Sequence, residues 1–254
     1  MVLAIDIGNS KIIIGCMGNE KIYFLERLSS NLSSTDFEYA VQLKNLFDIY
    51  GINIDEIEGT IISSVVPPLL DTIKSAVKKL IKKPIKVIGP GIKTGLNILM
   101  DNPAQLGSDL VVNAVAALKT CEPPILVINM GTATTFSVLD KKGNYVGGMI
   151  MPGLETSLDA LTKRTAQLPK IELKPPKKHI GTNTIDSMKS GIIYGTAASI
   201  DGLIDDIENE LGYECNRIAT GLYSQKIIPY CKRDIKIDST LSLKGLKIIF
   251  DKNR

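Results

Sequence analysis

The sequence predicts an α/β fold of two similar halves, each a mixed five-stranded sheet with helices on both faces. Three observations predict it. "LAIDIGNSKII" (residues 3–13) and "LVINMGTATTF" (126–136) align without a gap, placing Leu3 on Leu126, Ile5 on Ile128, Asp6 on Asn129 and Gly8 on Gly131. Their offset of 123 residues is close to half of the 254-residue chain, as an internal duplication requires, although two unrelated buried strands ending in Gly give the same match. Each stretch also opens a run of β-branched strands that gives way to segments of helical periodicity.

The elements follow in order. Residues 2–7, 11–16 and 21–27 form a three-strand meander broken by "GNS" and "GNE". A helix capped by Ser34 or Thr35 follows, with Phe37, Ala40, Val41, Leu43, Leu46 and Phe47 at helical spacing and Gly51 as its stop. A strand runs to Val66, Pro67-Pro68 start an amphipathic helix, and "PIKVIG" is a short strand. Residues 89–107 form a loop long enough to suggest function, ending at a helix that starts near Ser108 or Asp109. Strands at 125–129, 134–139 and 144–151 repeat the meander. A helix follows Pro152 and Gly153, a Pro/Lys loop covers 169–183, and a helix over 186–211 carries Gly191, Gly195, Ala197, Ala198 and Gly202. Those small residues allow another backbone close, from the same chain or from a second copy. "RIATG" is a strand and turn, and a last helix is capped by Asp238 or Ser239. The expected domains are 1–121 and 122–254.

A net charge of +3 from nearly balanced ions leaves no basic tract for nucleic acid, and Lys78-Lys79, Lys82-Lys83 and Lys177-Lys178 are expected to face solvent. The absence of a leader pattern and of any apolar run near ~20 residues points to the cytoplasm and away from a membrane. Cys16, Cys121, Cys215, Cys231 and the lone His179 suggest neither a zinc site nor a disulfide framework; reduced, buried thiols are expected.

Gly8 and Gly131 leave no side chain above their turns, so backbone N–H groups can approach a phosphate, with hydroxyls at Ser10, Thr132, Thr134 and Thr135 as further donors. Asp6 beside phosphate needs a magnesium ion or its waters between them. An ordinary hairpin in which Asp6 and Asn9 bond the turn backbone accounts for the same residues. Asp109 similarly reads as a helix cap or as the base that receives the proton of an attacking hydroxyl.

Together the paired turns, the split architecture and the acidic residues resemble an actin-like, sugar-kinase-like phosphotransferase of duplicated RNase H-like domains. The order of "DIGNS" (6–10), "SSVVP" (63–67), "DNPAQLGSD" (101–109), "GTATTF" (131–136), "GGMIMPGL" (147–154), "LP" (168–169), "NT" (183–184), "GIIYG" (191–195), "ATG" (219–221) and "LSLKGL" (241–246) narrows this. Across the whole chain it is similar to the type III pantothenate kinase family. That resemblance implies phosphorylation of pantothenate by ATP, the first step of coenzyme A synthesis, in a cytoplasmic homodimer using Mg2+ and a monovalent cation, K+ or NH4+. It implies ATP and metal contacts for Asp6, Ile7, Gly8, Asn9, Ser10 and Lys11, and ATP contacts for Gly131, Thr132 and Thr134. It implies a pantothenate site of Met100, Gly107, Ser108, Asp109, Leu110 and Thr184, with Asp109 as base.

Four positions depart. The family has a cation-binding Asp where Asn129 stands, Arg at Leu110, Tyr at Met100 and a second glycine at Leu222. An amide in place of an anionic ligand removes about 4 kcal/mol of charge interaction in a moderately screened site. A lost Arg–carboxylate contact removes ~1.5–3 kcal/mol. These departures leave two alternatives: a nucleotide-binding regulatory paralogue with little catalysis, and a kinase for another small alcohol.

Overall fold

The computed structural model describes residues 1–19 and 21–254; Glu20, which closes the "GNE" break, lies outside the described residues. The chain forms two compact units. One comprises residues 1–96, 101–120 and 240–254, the other 97–100 and 121–239.

In the first unit β1 (Val2–Ile7), β2 (Lys11–Met17), β3 (Ile22–Ser29), β4 (Gly59–Ser64) and β5 (Ile85–Val87) form one sheet in the order β3-β2-β1-β4-β5. β1 runs antiparallel to β2 and parallel to β4. The alternation of β1 divides its residues between two cores. Leu3, Ile5 and Ile7 pack on one face with α1 (Asp36–Ile49) and α2 (Pro67–Leu80), through Leu43, Phe47, Leu69 and Ile73. Val2 and Ala4 pack on the other, with α3 (Ser108–Thr120) and the C-terminal helix, Leu241–Lys252, through Val112, Val115, Leu243 and Leu246. Asp6 continues this second series.

Local signals explain most boundaries. Thr35 closes a capping box with Glu38: Thr35 Oγ1 accepts from Glu38 N at 3.2 Å and Glu38 Oε2 from Thr35 N at 2.6 Å. The inward face of α1 is narrower than its apolar spacing predicts, because Phe37 and Val41 are exposed (67% and 41%) and Tyr39 is buried instead. The strand expected to reach Val66 ends at Ser64, where Ser64 Oγ turns the chain toward Pro67 by bonding Val66 N and O.

In the second unit β6 (Ile125–Met130), β7 (Ala133–Leu139), β8 (Tyr145–Pro152), β9 (Asn216–Thr220) and β10 (Lys236–Ile237) form a sheet in the order β10-β9-β6-β7-β8. Read from the other edge this is 8-7-6-9-10, the order of the first sheet with each number raised by five, and the parallel and antiparallel pairings match. Duplication therefore extends from the turns to the whole sheet. Leu126, Ile128, Met130, Phe136 and Val138 bury one face with Leu154 of α4 (Leu154–Lys163), with Ile193, Ala197, Ile200 and Ile204 of α5 (Thr184–Leu211), and with Ile227 of the short α6 (Ser224–Ile227).

α5 begins two residues earlier than its periodicity predicts, since Asn183 Oδ1 accepts from Asp186 N at 2.9 Å and extends the first turn. α6 and β10 are too short for periodicity to reveal. The last helix, α7, has Thr240 rather than Asp238 or Ser239 at its N-cap, with no side-chain cap bond. Although it lies beyond residue 122, it groups with the first unit because Gly245 lets α7 and α3 touch; a methyl there would stand 2.0 Å from Val112 O. The paired lysines are exposed as expected. All four cysteines are free, but only Cys16 and Cys215 are fully buried. Among the described residues no helix is long and apolar enough to cross a membrane.

Candidate functional site

The first unit gathers the carboxylates. Asp6 ends β1 on the α3/α7 face, opposite Ser63 in the parallel β1–β4 register, and is 9% exposed. Burial first, then the charge of Asp109, push the Asp6 carboxyl up to about 7, against the lowering effect of hydrogen bonds with the Ser63 and Ser242 hydroxyls. Burial also raises the Asp109 carboxyl, opposed by hydrogen bonds from the backbone N–H groups of Leu110 and of Asp109 itself. Asp109 lies half-buried in the first turn of α3, and its charge is felt at Asp6. A methyl on Gly107 would come 2.6 Å from Asp109 Oδ1, at the end of that side chain. Leu110 follows in the same turn, half-buried, with its N–H bonded to Gly107 O at 3.1 Å.

The first turn is closed by Gly8 N donating to Lys11 O at 3.0 Å, and Ser30 Oγ holds Gly8 O at 2.6 Å. Asn9, Ser10 and Lys11 are exposed, and Lys11 Nζ reaches Ser29 Oγ at 3.4 Å. Ile7 turns its side chain into the α1/α2 core, so only its backbone is available to a ligand.

In the second unit the matching turn is one residue shorter, since Met130 pairs with Thr134 where Ile7 pairs with Ile12. Thr132 is exposed at its tip. Thr134 is 1% exposed and shares the parity of Phe136 and Val138, so the structure separates it from the exposed hydroxyl of Thr132. The turn is braced by backbone. Gly153 N and Thr156 Oγ1 both donate to Thr132 O, at 3.0 and 2.7 Å. A methyl on Gly153 would lie 2.3 Å from Gly131 O, and one on Gly221 (φ +93°) 2.5 Å from Met130 O. Backbone atoms cannot swing aside, so Gly153→Ala is expected to cost about 1–3 kcal/mol of stability and to weaken nucleotide binding; urea unfolding and calorimetry with ATP read both.

Asn129 is half-buried and lies in register with Thr135 on β7 and Thr220 on β9. Thr135 Oγ1 is buried without a hydrogen-bond partner. This row offers oxygens to a monovalent cation but no charge. Met100 is half-buried and follows a strip held to β8 by Tyr145 N donating to Asn97 O and Leu99 N to Tyr145 O, each at 2.8 Å. Thr184 is exposed at the start of α5, where it lines an open groove of ≈ 620 Å³ with Asn183, Ser187 and Gly191. Leu222, 40% exposed, lines a second cavity of ≈ 420 Å³ with Tyr223, Glu155 and Lys226.

Among the described residues no group of three or more acidic, His or Cys side chains gathers to hold a metal. Asp6 alone nevertheless fits magnesium, which takes one or two carboxylates and completes its shell with waters and substrate phosphates. Ser63 and Ser242 are the residues that the sequence did not single out for a role. Ser63 and Ser242 fall within the quoted stretches "SSVVP" and "LSLKGL", where nothing assigned either of them a role.

Two sheets of one topology, each with a glycine turn after its first strand, make a duplicated, actin-like fold. The activator of the 2-hydroxyisocaproyl-CoA dehydratase from Clostridium difficile, solved with bound ADPNP, shares this fold: TM-score 0.56, 11% identity, covering 99% of this chain and 94% of that one. The family model for type III pantothenate kinase matches residues 2–206. The type III pantothenate kinase of Halalkalibacterium halodurans is 42% identical over 253 residues, and that of Exiguobacterium sp. 39% over 254, each alignment covering 100% of both chains. The chain belongs to the type III pantothenate kinase family.

Proposed function

We infer that the chain transfers the γ-phosphoryl group of ATP to the terminal hydroxyl of pantothenate, the first step of coenzyme A synthesis. The observation that carries this is full-length similarity to type III pantothenate kinases in a chain that keeps buried Asp6 and half-buried Asp109 as electrostatically coupled carboxylates. In this reading Asp109 accepts the proton of the attacking hydroxyl, and its burial favours the protonated form it reaches. Asp6 faces the phosphate side, the Gly8 and Gly131 turns supply backbone N–H donors, and Thr132 adds a hydroxyl. Magnesium, when bound, supplies the positive charge that lets phosphate and carboxylate approach. Gly107, Ser108 and Leu110 of the first unit, and Met100 and Thr184 of the second, are the residues assigned to the acceptor in this reading.

A kinase of this kind works on ATP in the cytoplasm. It acts as a homodimer, a reading supported by exposed Gly191, Gly195 and Gly202 on α5, where added methyl groups would meet nothing within 4 Å. At Asn129 an amide oxygen replaces the family's anionic cation ligand, so K+ or NH4+ binds weakly there.

The test is turnover of purified protein with magnesium-ATP and pantothenate, scanned across K+ and NH4+. Pantothenate-dependent ADP release supports the reading. Turnover only with another alcohol identifies a retuned acceptor pocket, to which half-buried Leu110 contributes apolar surface, and nucleotide binding without turnover identifies a regulatory protein. Asn129→Asp is expected to restore the charge and steepen stimulation by K+, with the half-maximal K+ concentration falling at least tenfold.

A further inference from the structure

Residues 97–100 group with the second unit, although the chain up to Leu96 and from Asp101 groups with the first. They do so as an added piece of sheet. β8 is an edge of the second sheet, so its outer N–H and C=O groups are open to another strand. Ile98 forms a parallel bridge with Tyr145 there, closed by Tyr145 N donating to Asn97 O and Leu99 N to Tyr145 O, each at 2.8 Å. Alternation along this strip leaves Asn97 and Leu99 exposed and Ile98 and Met100 half-buried, so Met100 continues the face of Ile98. The corner that receives the strip is cross-braced. Asn97 Nδ2 donates to Asn144 Oδ1 at 2.8 Å. Asn144 is held in turn by Asp140, whose Oδ1 accepts from Asn144 N and whose Oδ2 accepts from Asn144 Nδ2, both at 2.9 Å. Lys142 N donates to the same Oδ1 at 2.8 Å, and Gly143, at φ +78°, completes the turn. Tyr145 is 2% exposed, and its hydroxyl donates to the buried Ser137 Oγ at 3.1 Å.

We propose that Asn97, Leu99 and Asn144 are positioning residues for the acceptor: they fix residues 97–99 as an extra strand of the second sheet and thereby set where Met100 stands. Met100 is one residue, about 3.8 Å between Cα atoms, beyond Leu99, the last residue bonded to the sheet. While those bonds hold, Met100 lacks the freedom of a loop residue. Without them it belongs to the long 89–107 connection, and the cost of ordering that segment falls on the acceptor when it binds. Preorganisation of this kind shows in affinity for the acceptor and not in affinity for the nucleotide. The proposal rests on the reading of Met100 as an acceptor residue.

The experiment is calorimetric titration of the full chain with pantothenate in the presence of a non-hydrolysable ATP analogue, and with the analogue alone. Leu99→Pro, which deletes the donor to Tyr145 O, and Asn97→Ala are each expected to raise the pantothenate Kd by about 3–10-fold, the equivalent of one hydrogen bond. The Kd of the analogue should stay at its wild-type value. Leu99→Ala keeps the N–H and should bind pantothenate as wild type does. Adding Asn97→Ala to Asn144→Ala should weaken pantothenate no further than Asn144→Ala alone, since both remove the same bond. A merely structural role lowers the unfolding midpoint and leaves both constants of the folded protein unchanged. Should Leu99→Pro fail to fold, Asn97→Ala, at an exposed position, carries the same comparison. An unchanged pantothenate Kd in these variants, beside a weakened Met100→Ala, overturns the positioning role alone. Wild-type affinity in Met100→Ala, or no pantothenate binding by the wild type, overturns the reading of Met100 and the proposal with it.

Discussion

Asp109→Asn is expected to lower kcat by about 10²–10⁴-fold, the usual contribution of a positioned general base. The substitution keeps shape and volume, and an amide oxygen still accepts the backbone N–H bonds that the carboxylate receives in the first turn of α3. What it cannot do is take a proton. Because burial already raises the Asp109 carboxyl, the native group is a better proton acceptor than an exposed aspartate, and that advantage is lost with the charge. ATP affinity should change little, and the unfolding midpoint should stay level or rise, since a half-buried carboxylate whose charge is felt at Asp6 is removed. Steady-state kinetics at saturating ATP separate these effects. Full activity in a folded Asp109→Asn protein contradicts the assignment of the base.

Asp6→Asn is expected to do the opposite of what a site residue is often assumed to do: it should stabilise the metal-free protein while removing phosphotransfer. The sign follows from linkage. The folded-state pKa of Asp6, about 7, lies above its ordinary value of 3.8, so the folded state holds the proton more tightly than the unfolded chain. Stability from this group is greatest below pH 4 and declines as pH rises toward about 7, beyond which the full cost of the buried charge remains. An asparagine carries no such cost. In EDTA at pH 8 the variant should therefore be more stable by on the order of 1–4 kcal/mol, and the difference should shrink as pH falls to 5. Urea unfolding at the two pH values reads it. A variant less stable than wild type at pH 8 shows that Asp6 is compensated by contacts that burial and Asp109 do not outweigh.

The fold was legible because its signals are local or periodic. β1 is an apolar run broken only by Asp6, Thr35 offers its helix a cap, and Gly8 and Gly131 mark turns after two matching strands. What sequence could not show depends on parity and on distant contact. Thr132, Thr134 and Thr135 read alike as hydroxyls, yet the pleat leaves Thr132 exposed, buries Thr134 with the parity of Phe136, and puts Thr135 in register with Asn129. Phe37 and Val41 fit the helical spacing of α1 but fall outside the face that meets the sheet. The packing of α7 beside β1 was invisible for a simpler reason, since no periodicity links residues so far apart. Asp6 and Asp109 were both found from their places beside glycines, while their electrostatic coupling required coordinates. The glycines at 153 and 221 read as a helix start and a strand end; their fit against the backbone of the second turn emerges only in three dimensions.

Single-turnover transfer from γ-labelled ATP, with magnesium and pantothenate in excess, tests the central claim most directly. Wild-type protein should pass the label to pantothenate, adding one phosphoryl group by mass, and Asp109→Asn should bind the nucleotide yet leave the acceptor unlabelled over the same interval. Bound ATP with no labelled pantothenate from the wild type, or equal labelling by both proteins, would contradict the account.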